Sequence, residues 1–226
     1  MFGWHLHSGE QKHSDGFLGG AGRFMSVEMQ MRYAIVDLEA TCWLNNKDNT
    51  RMETIEIGAL LLPDSLTLPA PEYQRFIRPQ VNPQLSDFCT QLTTITQADV
   101  DAAATFDVVF PEFVAWVGVD QGEPVTFCSW GSYDYKQLKL DCARWGTAFP
   151  TAFETPLNLK KLFKQFHKER PGMKDALAIL GLTLEGTHHR GIDDARNIAR
   201  IAQDLLTRLR DRQAERALPP APGGAA

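Results

Sequence analysis

The 226-residue chain has little of what several protein classes require. It holds four cysteines, Cys42, Cys89, Cys128 and Cys142, and no two of them form a CxxC pair. That argues against a zinc or disulfide framework and for free thiols in a reducing compartment, so a cytoplasmic protein is expected. No apolar run reaches the length of a membrane span. The first thirty residues scatter Trp4, Phe17 and Leu18 among glycines and histidines and lack the compact apolar segment of a secretory signal. With His5, His7 and His13 they read as a disordered extension rather than a metal site. Positive charge is not in excess either: 23 Lys and Arg against 28 Asp and Glu give a net charge of −5. Coating of long nucleic acid by charge alone is therefore disfavoured. An enzyme gripping a few nucleotides at a strand end stays compatible, because bound cations offset an acidic pocket. There is no internal repeat, and the tail rich in proline, glycine and alanine from Pro219 reads as unstructured.

What the chain does have is 43% hydrophobic residues, enough for one packed domain. That domain is expected over 31–212, with an extension at 1–30 and a mostly disordered tail at 213–226. Apolar runs at 33–38, 55–62 and 73–77 predict three strands, separated by Pro63 and the Pro69-Ala70-Pro71 turn. Apolar positions 106, 109, 110, 113, 114 and 117 have helical spacing. A fourth strand is expected at 124–128, a helix at 135–145 and a short fifth strand within 153–159. Helices at 159–167, 174–180 and 192–216 follow. A three-strand meander and then alternating strands and helices make an α/β fold, a mixed sheet covered by helices. Sites in such sheets gather at the carboxyl ends of parallel strands. Asp37 and Glu39 end the first strand and Asp134 follows the fourth, so neighbouring strands would unite them.

Asp37 and Glu39, two apart on a strand, leave the same face. Their mutual repulsion is relieved by a cation, although a DxE pair alone is weak and equally describes an ordinary solvated strand end. Asp134, in Trp130-Gly131-Ser132-Tyr133-Asp134-Tyr135, reads either as a helix N-terminal acid or as a metal-directed carboxylate. Its aromatic neighbours can stack on a base or pack in the core. The last helix carries an apolar stripe through Ile192, Ala195, Ile198 and Ala202. Asp193 shares a face with Asn197, Arg200 and Asp204 and reads as a solvated acid. Asp194 lines up with Ile198, Ile201 and Leu205 at the buried flank, where a carboxylate needs a partner. His188 and His189 precede this helix in a loop that Gly186 and Gly191 would let move. A histidine there can accept a proton from water near neutrality.

Jointly, Asp37 with Glu39, Asp134, and His189 with Asp194 in HxxxxD spacing resemble the DEDDh family of 3′-to-5′ exonucleases. The runs Val36-Asp37-Leu38-Glu39-Ala40-Thr41-Cys42-Trp43, Leu92-Thr93-Thr94-Ile95-Thr96-Gln97 and Gly191-Ile192-Asp193-Asp194-Ala195-Arg196 are similar to the branch of 3′ histone-mRNA and RNA-interference exonucleases and their bacterial relatives. The resemblance implies a ribonuclease H-like, mixed five-stranded sheet flanked by helices. It also implies two Mg²⁺ or Mn²⁺ ions held by Asp37, Glu39, Asp134 and Asp194, with His189 as general base. Nucleoside 5′-monophosphates would be released from single-stranded nucleic acid, RNA more than DNA, with no membrane involved. Ala40, Thr41, Leu92 and Ile95 would contact the terminal nucleotide. Two departures stand out: the family's glycine in the Leu-Thr-Gly-Ile segment is Thr94 here, and no separate RNA-binding domain is expected before the nuclease. A catalytically silent nucleic-acid-binding or regulatory protein on the same fold is the alternative. Lys160, Lys161, Lys164, Lys168, Arg170 and Lys174, with Glu169 as the only acid among them, read as a solvated helix face or as a strand-guiding track.

Overall fold

The computed structural model describes residues 30–45 and 48–217; all but the last residue of the expected extension and the last nine residues of the expected tail lie outside the described residues. Three strands, β1 (Arg32–Ala40), β2 (Thr54–Leu62) and β3 (Glu72–Phe76), form an antiparallel meander. Strand β4 (Val125–Ser129) joins β1 in parallel and β5 (Leu157–Asn158) joins β4, giving the order β3-β2-β1-β4-β5. The sheet is the mixed five-stranded one that the sequence predicts. Strand β5 has only two residues, because a 3₁₀ turn occupies Thr151–Phe153 and Pro156 has no N–H for a ladder.

Alternation along β1 divides the core. Ala34, Val36 and Leu38 pack with α3 (Phe106–Val117) and α4 (Tyr133–Trp145). Ile35 points the other way, into a layer built from α5 (Leu159–His167), α6 (Met173–Ile179) and α7 (Gly191–Ala217). Strand β2 lies between β1 and β3 and is buried at every position, hence its nearly unbroken apolar run. Helix α7 continues through Ala217, five residues into the expected tail, and no helix among the described residues is long and apolar enough to cross a membrane.

Two short helices went unpredicted, α1 (Asp87–Thr93) and α2 (Gln97–Asp101). Neither is long enough to display a helical period, but both are capped. Ser86 Oγ accepts from the Cys89 N–H, and Thr96 with Asp99 forms a reciprocal capping box. Thr94, in the place of the family's glycine, closes α1 in the left-handed conformation at φ 60°.

One close approach positions the rest. A Cβ added to Gly58 on β2 would stand 2.0 Å from the carbonyl carbon of Gly191. The bare backbone at Gly58 lets the first turn of α7 lie directly against the sheet, on the face from which Asp37 and Glu39 project.

Candidate active site

The β1–β4 ladder ends at the Ile35–Cys128 pair, so the Leu38 N–H has no strand partner on that side. Asp134, in the first turn of α4, takes it: Oδ1 accepts from that amide at 3.1 Å. This bond clamps the acid of one motif between the two acids of another. Opposite them, Asp194 occupies the first turn of α7, with Oδ2 accepting the His189 N–H at 3.0 Å and lying 3.0 Å from His188 Nδ1. Carboxylate oxygens of Asp37, Glu39 and Asp194 approach within 4.8 Å of one another, and a second cluster joins His188, His189 and Asp194.

The environment opposes ionisation here. Burial, then Asp134, Glu39, Asp194 and Glu56, hold the Asp37 carboxyl well above the ordinary carboxylate range. Burial, then Asp194, Glu56 and Asp134, push Glu39 up to about 9. Asp134 is raised to about 6 by burial, against hydrogen bonds from its own amide, the Leu38 amide and Ser129. Asp194 is raised by burial and moderated by the His189 amide and the two imidazoles.

Other buried acids show what a protein-satisfied carboxylate looks like. Glu53 accepts from the backbone N–H groups of Gln80, Val81 and Asn82. Asp141 accepts from the amide and hydroxyl of Thr54 and from Gln137. Glu56 accepts from Gln74 Nε2 and from the Gly191 N–H at 3.0 Å, and with Arg190 it ties β2 to the start of α7. Among the described residues, Asp37 and Glu39 receive no such donor, although Glu39 is only 8% exposed. A buried and a half-buried carboxylate that repel each other and lack donors are suited to hard divalent cations, whose preferred ligands are oxygens.

The histidines divide their contacts. Their rings stack with centroids 4.0 Å apart. Nδ1 of His188 engages Asp194, whereas the His189 ring nitrogens have no hydrogen-bond partner among the described residues. Burial, then neighbouring His188, lower the His189 pKa, partly opposed by Asp194, which favours a neutral imidazole able to take a proton. His189 itself adopts φ 65°. The loop is held rather than loose: Asp193 accepts from the Thr187 N–H and pairs with Arg196, and buried Asn197 bonds Glu185 and Asp193. The solvated face expected for Asp193 and Asn197 is thus a structural one, and Gly191 is pinned to Glu56 rather than acting as a hinge.

These groups line a cavity of about 430 Å³ with Asp37, Glu39, Asp134, Asp194 and both histidines in its wall. Ala40 and Leu92 line it too. Thr41 and Ile95 do not: Thr41 is buried with Oγ1 accepting the Glu53 N–H, and Ile95 is sealed in a core with Ile55, Leu85, Cys89 and Val100. Trp130 and Tyr133 face the cavity, while Tyr135 packs on Phe149 and bonds Glu154. Leu38, Cys42, Met52, Gly172 and Met173 complete the wall and were not foreseen. The last two arrive from α6, which no local pattern links to β1. Glu56 had a legible signal, a lone acid inside an apolar strand. A larger groove of about 630 Å³ among α5, α6 and α7 holds cations that are already paired, Arg200 with Glu185 and Arg208 with Asp204. Asp37, Glu39 and His189, whose side chains lack hydrogen-bond partners among the described residues, line the smaller cavity.

Residues 34–202 match the family model described as Exonuclease. Human ERI1 exoribonuclease 2 is 30% identical over 83% of this chain, and rat 3′-5′ exoribonuclease 1 is 35% identical over 76% of it. The chain spans only 30% and 52% of those proteins' lengths. The solved nuclease domain of 3′hExo, a DEDDh family member bound to rAMP, superposes with a TM-score of 0.72 at 33% identity, covering 78% of this chain and 92% of that one. Cell-death related nuclease 4, at 23% identity and a TM-score of 0.70, shares the fold. The chain belongs to the exonuclease family, on the DEDDh branch that contains the ERI1 and 3′hExo proteins.

Proposed function

We propose that the protein is a metal-dependent 3′-to-5′ exonuclease that releases nucleoside 5′-monophosphates from single-stranded RNA or short DNA. The observation that carries this reading is the set of buried and half-buried carboxylates, two of them without donors among the described residues, facing one cavity beside an imidazole whose nitrogens have no hydrogen-bond partner there. Names of the relatives, all of them 3′-5′ exonucleases or exoribonucleases, and the rAMP in the 3′hExo domain support the same class of substrate. Asp37, Glu39, Asp134 and Asp194 would hold two Mg²⁺ or Mn²⁺ ions. Bound there, the ions supply Lewis-acid polarisation of the scissile phosphate and stabilise charge on the departing 3′ oxygen.

The chain's own residues do the rest. His189, neutral at physiological pH, accepts the proton of the attacking water. His188 and the His189 amide fix the Asp194 carboxylate, so one loop sets both the base and an acid. Asp134 holds the end of β1 in register through the Leu38 amide. Ala40 and Leu92 bound the terminal nucleotide, and Trp130 and Tyr133 offer ring faces to its base.

The test is a time course on 5′-labelled single-stranded RNA and matching DNA in Mg²⁺, Mn²⁺ or EDTA. A ladder shortening from the 3′ end only with metal, lost in Asp37→Ala and Asp194→Ala variants that stay folded, is the expected result. Intact oligomers in every lane, with tight binding retained, would replace this reading with a silent binding or regulatory protein.

A further inference from the structure

The segment between β5 and α6 starts beside the end of β4, which leads to the cavity, and ends at the cavity wall. Asn158 pairs with Ser129, next to cavity-lining Trp130, whose ring packs edge-on against Phe163 of α5 at 5.8 Å. Its far end delivers Gly172 and Met173 to the cavity wall. Helix α5 buries Leu159, Leu162 and Phe163. At 100° per residue, Lys160, Lys161 and Lys164 fall within an arc of about 100° on its opposite side, and exposed Lys168 caps the helix in the left-handed conformation. Arg170 and Lys174 flank the return to the cavity.

This stretch carries six of the chain's 23 basic residues and, in Glu169, one of its 28 acids. The stretch also gathers cations without ion pairs, which elsewhere among the described residues occur singly, at Arg51, Arg75, Arg78, Lys136, Arg212 and Arg216. Arg32, Lys139, Arg144, Arg190, Arg196, Arg200, Arg208 and Arg210 each pair with a carboxylate. Among the described residues, none of the six side chains on this stretch has an ion pair, hydrogen bond or ring contact. In a chain with net charge −5, a contiguous run of unneutralised cations beside an acidic cavity is a local reversal of field. An ordinary solvated helix face in an acidic protein would be interleaved with the acids that are plentiful everywhere else.

We infer that this face binds the sugar–phosphate backbone of the substrate strand on the 5′ side of the nucleotide held in the cavity. The inference rests on the exonuclease reading and adds where the rest of the strand goes. The outward residues of α5 are lysines with Gln165, and its aromatic Phe163 and Phe166 are packed inward, so contacts there go mainly to phosphates and carry little base preference. Such a track makes the enzyme sensitive to substrate length and salt, and indifferent to sequence beyond the terminal nucleotide.

Replacing Lys161, Lys164 and Lys168 together by Gln tests it. For single strands each phosphate contact contributes roughly 0.7 to the slope of log K against log salt, so three lost contacts flatten the slope by about 2 and weaken binding roughly 100-fold at 0.1 M salt. Equilibrium binding of a labelled 20-mer in EDTA reads this whether or not the protein cleaves anything, which keeps a failure of the track distinct from a failure of the exonuclease reading. In Mg²⁺, KM for the 20-mer should rise while cleavage of a dinucleotide is unchanged. A control variant, Arg78→Gln with Arg216→Gln, should bind within about twofold of the unmodified protein. Unchanged 20-mer affinity and salt slope in the triple variant would overturn the track. So would equal losses on the 20-mer and the dinucleotide, or an equal loss in the control.

Discussion

Replacing Glu39 by Gln should cost the enzyme its activity and make the metal-free protein more stable. The Glu39 carboxyl is raised from its ordinary 4.5 to about 9 by burial and by Asp194, Glu56 and Asp134. A group whose folded-state pKa lies above its unfolded value favours the fold only while it is protonated. Its contribution is complete below about pH 4.5 and is lost progressively as pH rises toward 9. At pH 7 the interval already crossed is about 2.5 pH units, equivalent to roughly 3 kcal/mol at 1.36 kcal/mol per unit. Gln keeps the volume, abolishes the titration and forfeits no protein donor, because Glu39 has none among the described residues. For a chain of this size roughly 3 kcal/mol corresponds to about 6–12 °C in Tm. Thermal unfolding in EDTA should therefore separate the two proteins by that margin at pH 7 and bring them together near pH 4.5. Mg²⁺ or Mn²⁺ at a thousand times Kd should reverse the order, because binding then stabilises the unmodified protein by about 4.1 kcal/mol. Equal melting temperatures in EDTA across pH 5–8, or a less stable variant, would show that the protein itself already satisfies this carboxylate. The cation argument would then lose its basis.

His189→Ala should lower kcat by about 10²–10⁴-fold and abolish the acidic limb of the pH–rate profile. In the unmodified enzyme that limb should have an apparent pKa below 6.5, with activity falling as pH drops through it, because burial and His188 favour the neutral ring. His188→Ala should retain the limb and instead require more metal for half-maximal rate. Gly58→Ala should destabilise by several kcal/mol in urea unfolding, since its Cβ would stand 2.0 Å from Gly191 backbone that has no side chain to yield. An equally stable variant would mean that α7 does not rest on the sheet there. Thr94→Gly should stabilise by roughly 1 kcal/mol, because Thr94 is exposed in a left-handed conformation that glycine takes freely.

Elements with a strong period or a continuous apolar run were legible in the sequence. Helices α3 and α5 begin and end where the spacing predicts, and β2 follows its run of Ile, Ala and Leu. Helices α1 and α2 were not, because seven and five residues give at most two turns, and their capping residues were the only readable sign. The cavity was legible where it is built from strand ends and first helical turns, since those positions are set by local pattern plus sheet adjacency. Gly172, Met173 and Met52 come from loops or helix starts whose place depends on how distant segments fold back. Thr41 and Ile95 illustrate the converse. Each lies within a few residues of a cavity-lining position, and each is turned away, one by a hydrogen bond to β2 and the other by its packing beside Leu85 and Val100.

The harder question for any sequence of this kind is which of its acids do chemistry. Glu53 and Glu56 lie on or beside a strand and are as buried as Glu39; nothing in their spacing ranks them below Asp37 and Glu39. What separates them is the supply of donors. Three consecutive backbone amides converge on Glu53, and the first amide of α7 with Gln74 and Arg190 converges on Glu56. Those acids are spent on holding a loop and a helix start. Asp37 and Glu39 are surrounded by more carboxylates instead, an arrangement that folding alone would not favour. The unfavourable charge is sustained because Glu56 secures α7 from one side and Asp134 secures the end of β1 from the other. Each is itself a buried acid satisfied by a backbone N–H that the sheet leaves without a strand partner or the helix start leaves without a carbonyl. The same donor shortage that makes the site costly to fold is what leaves its oxygens available to cations.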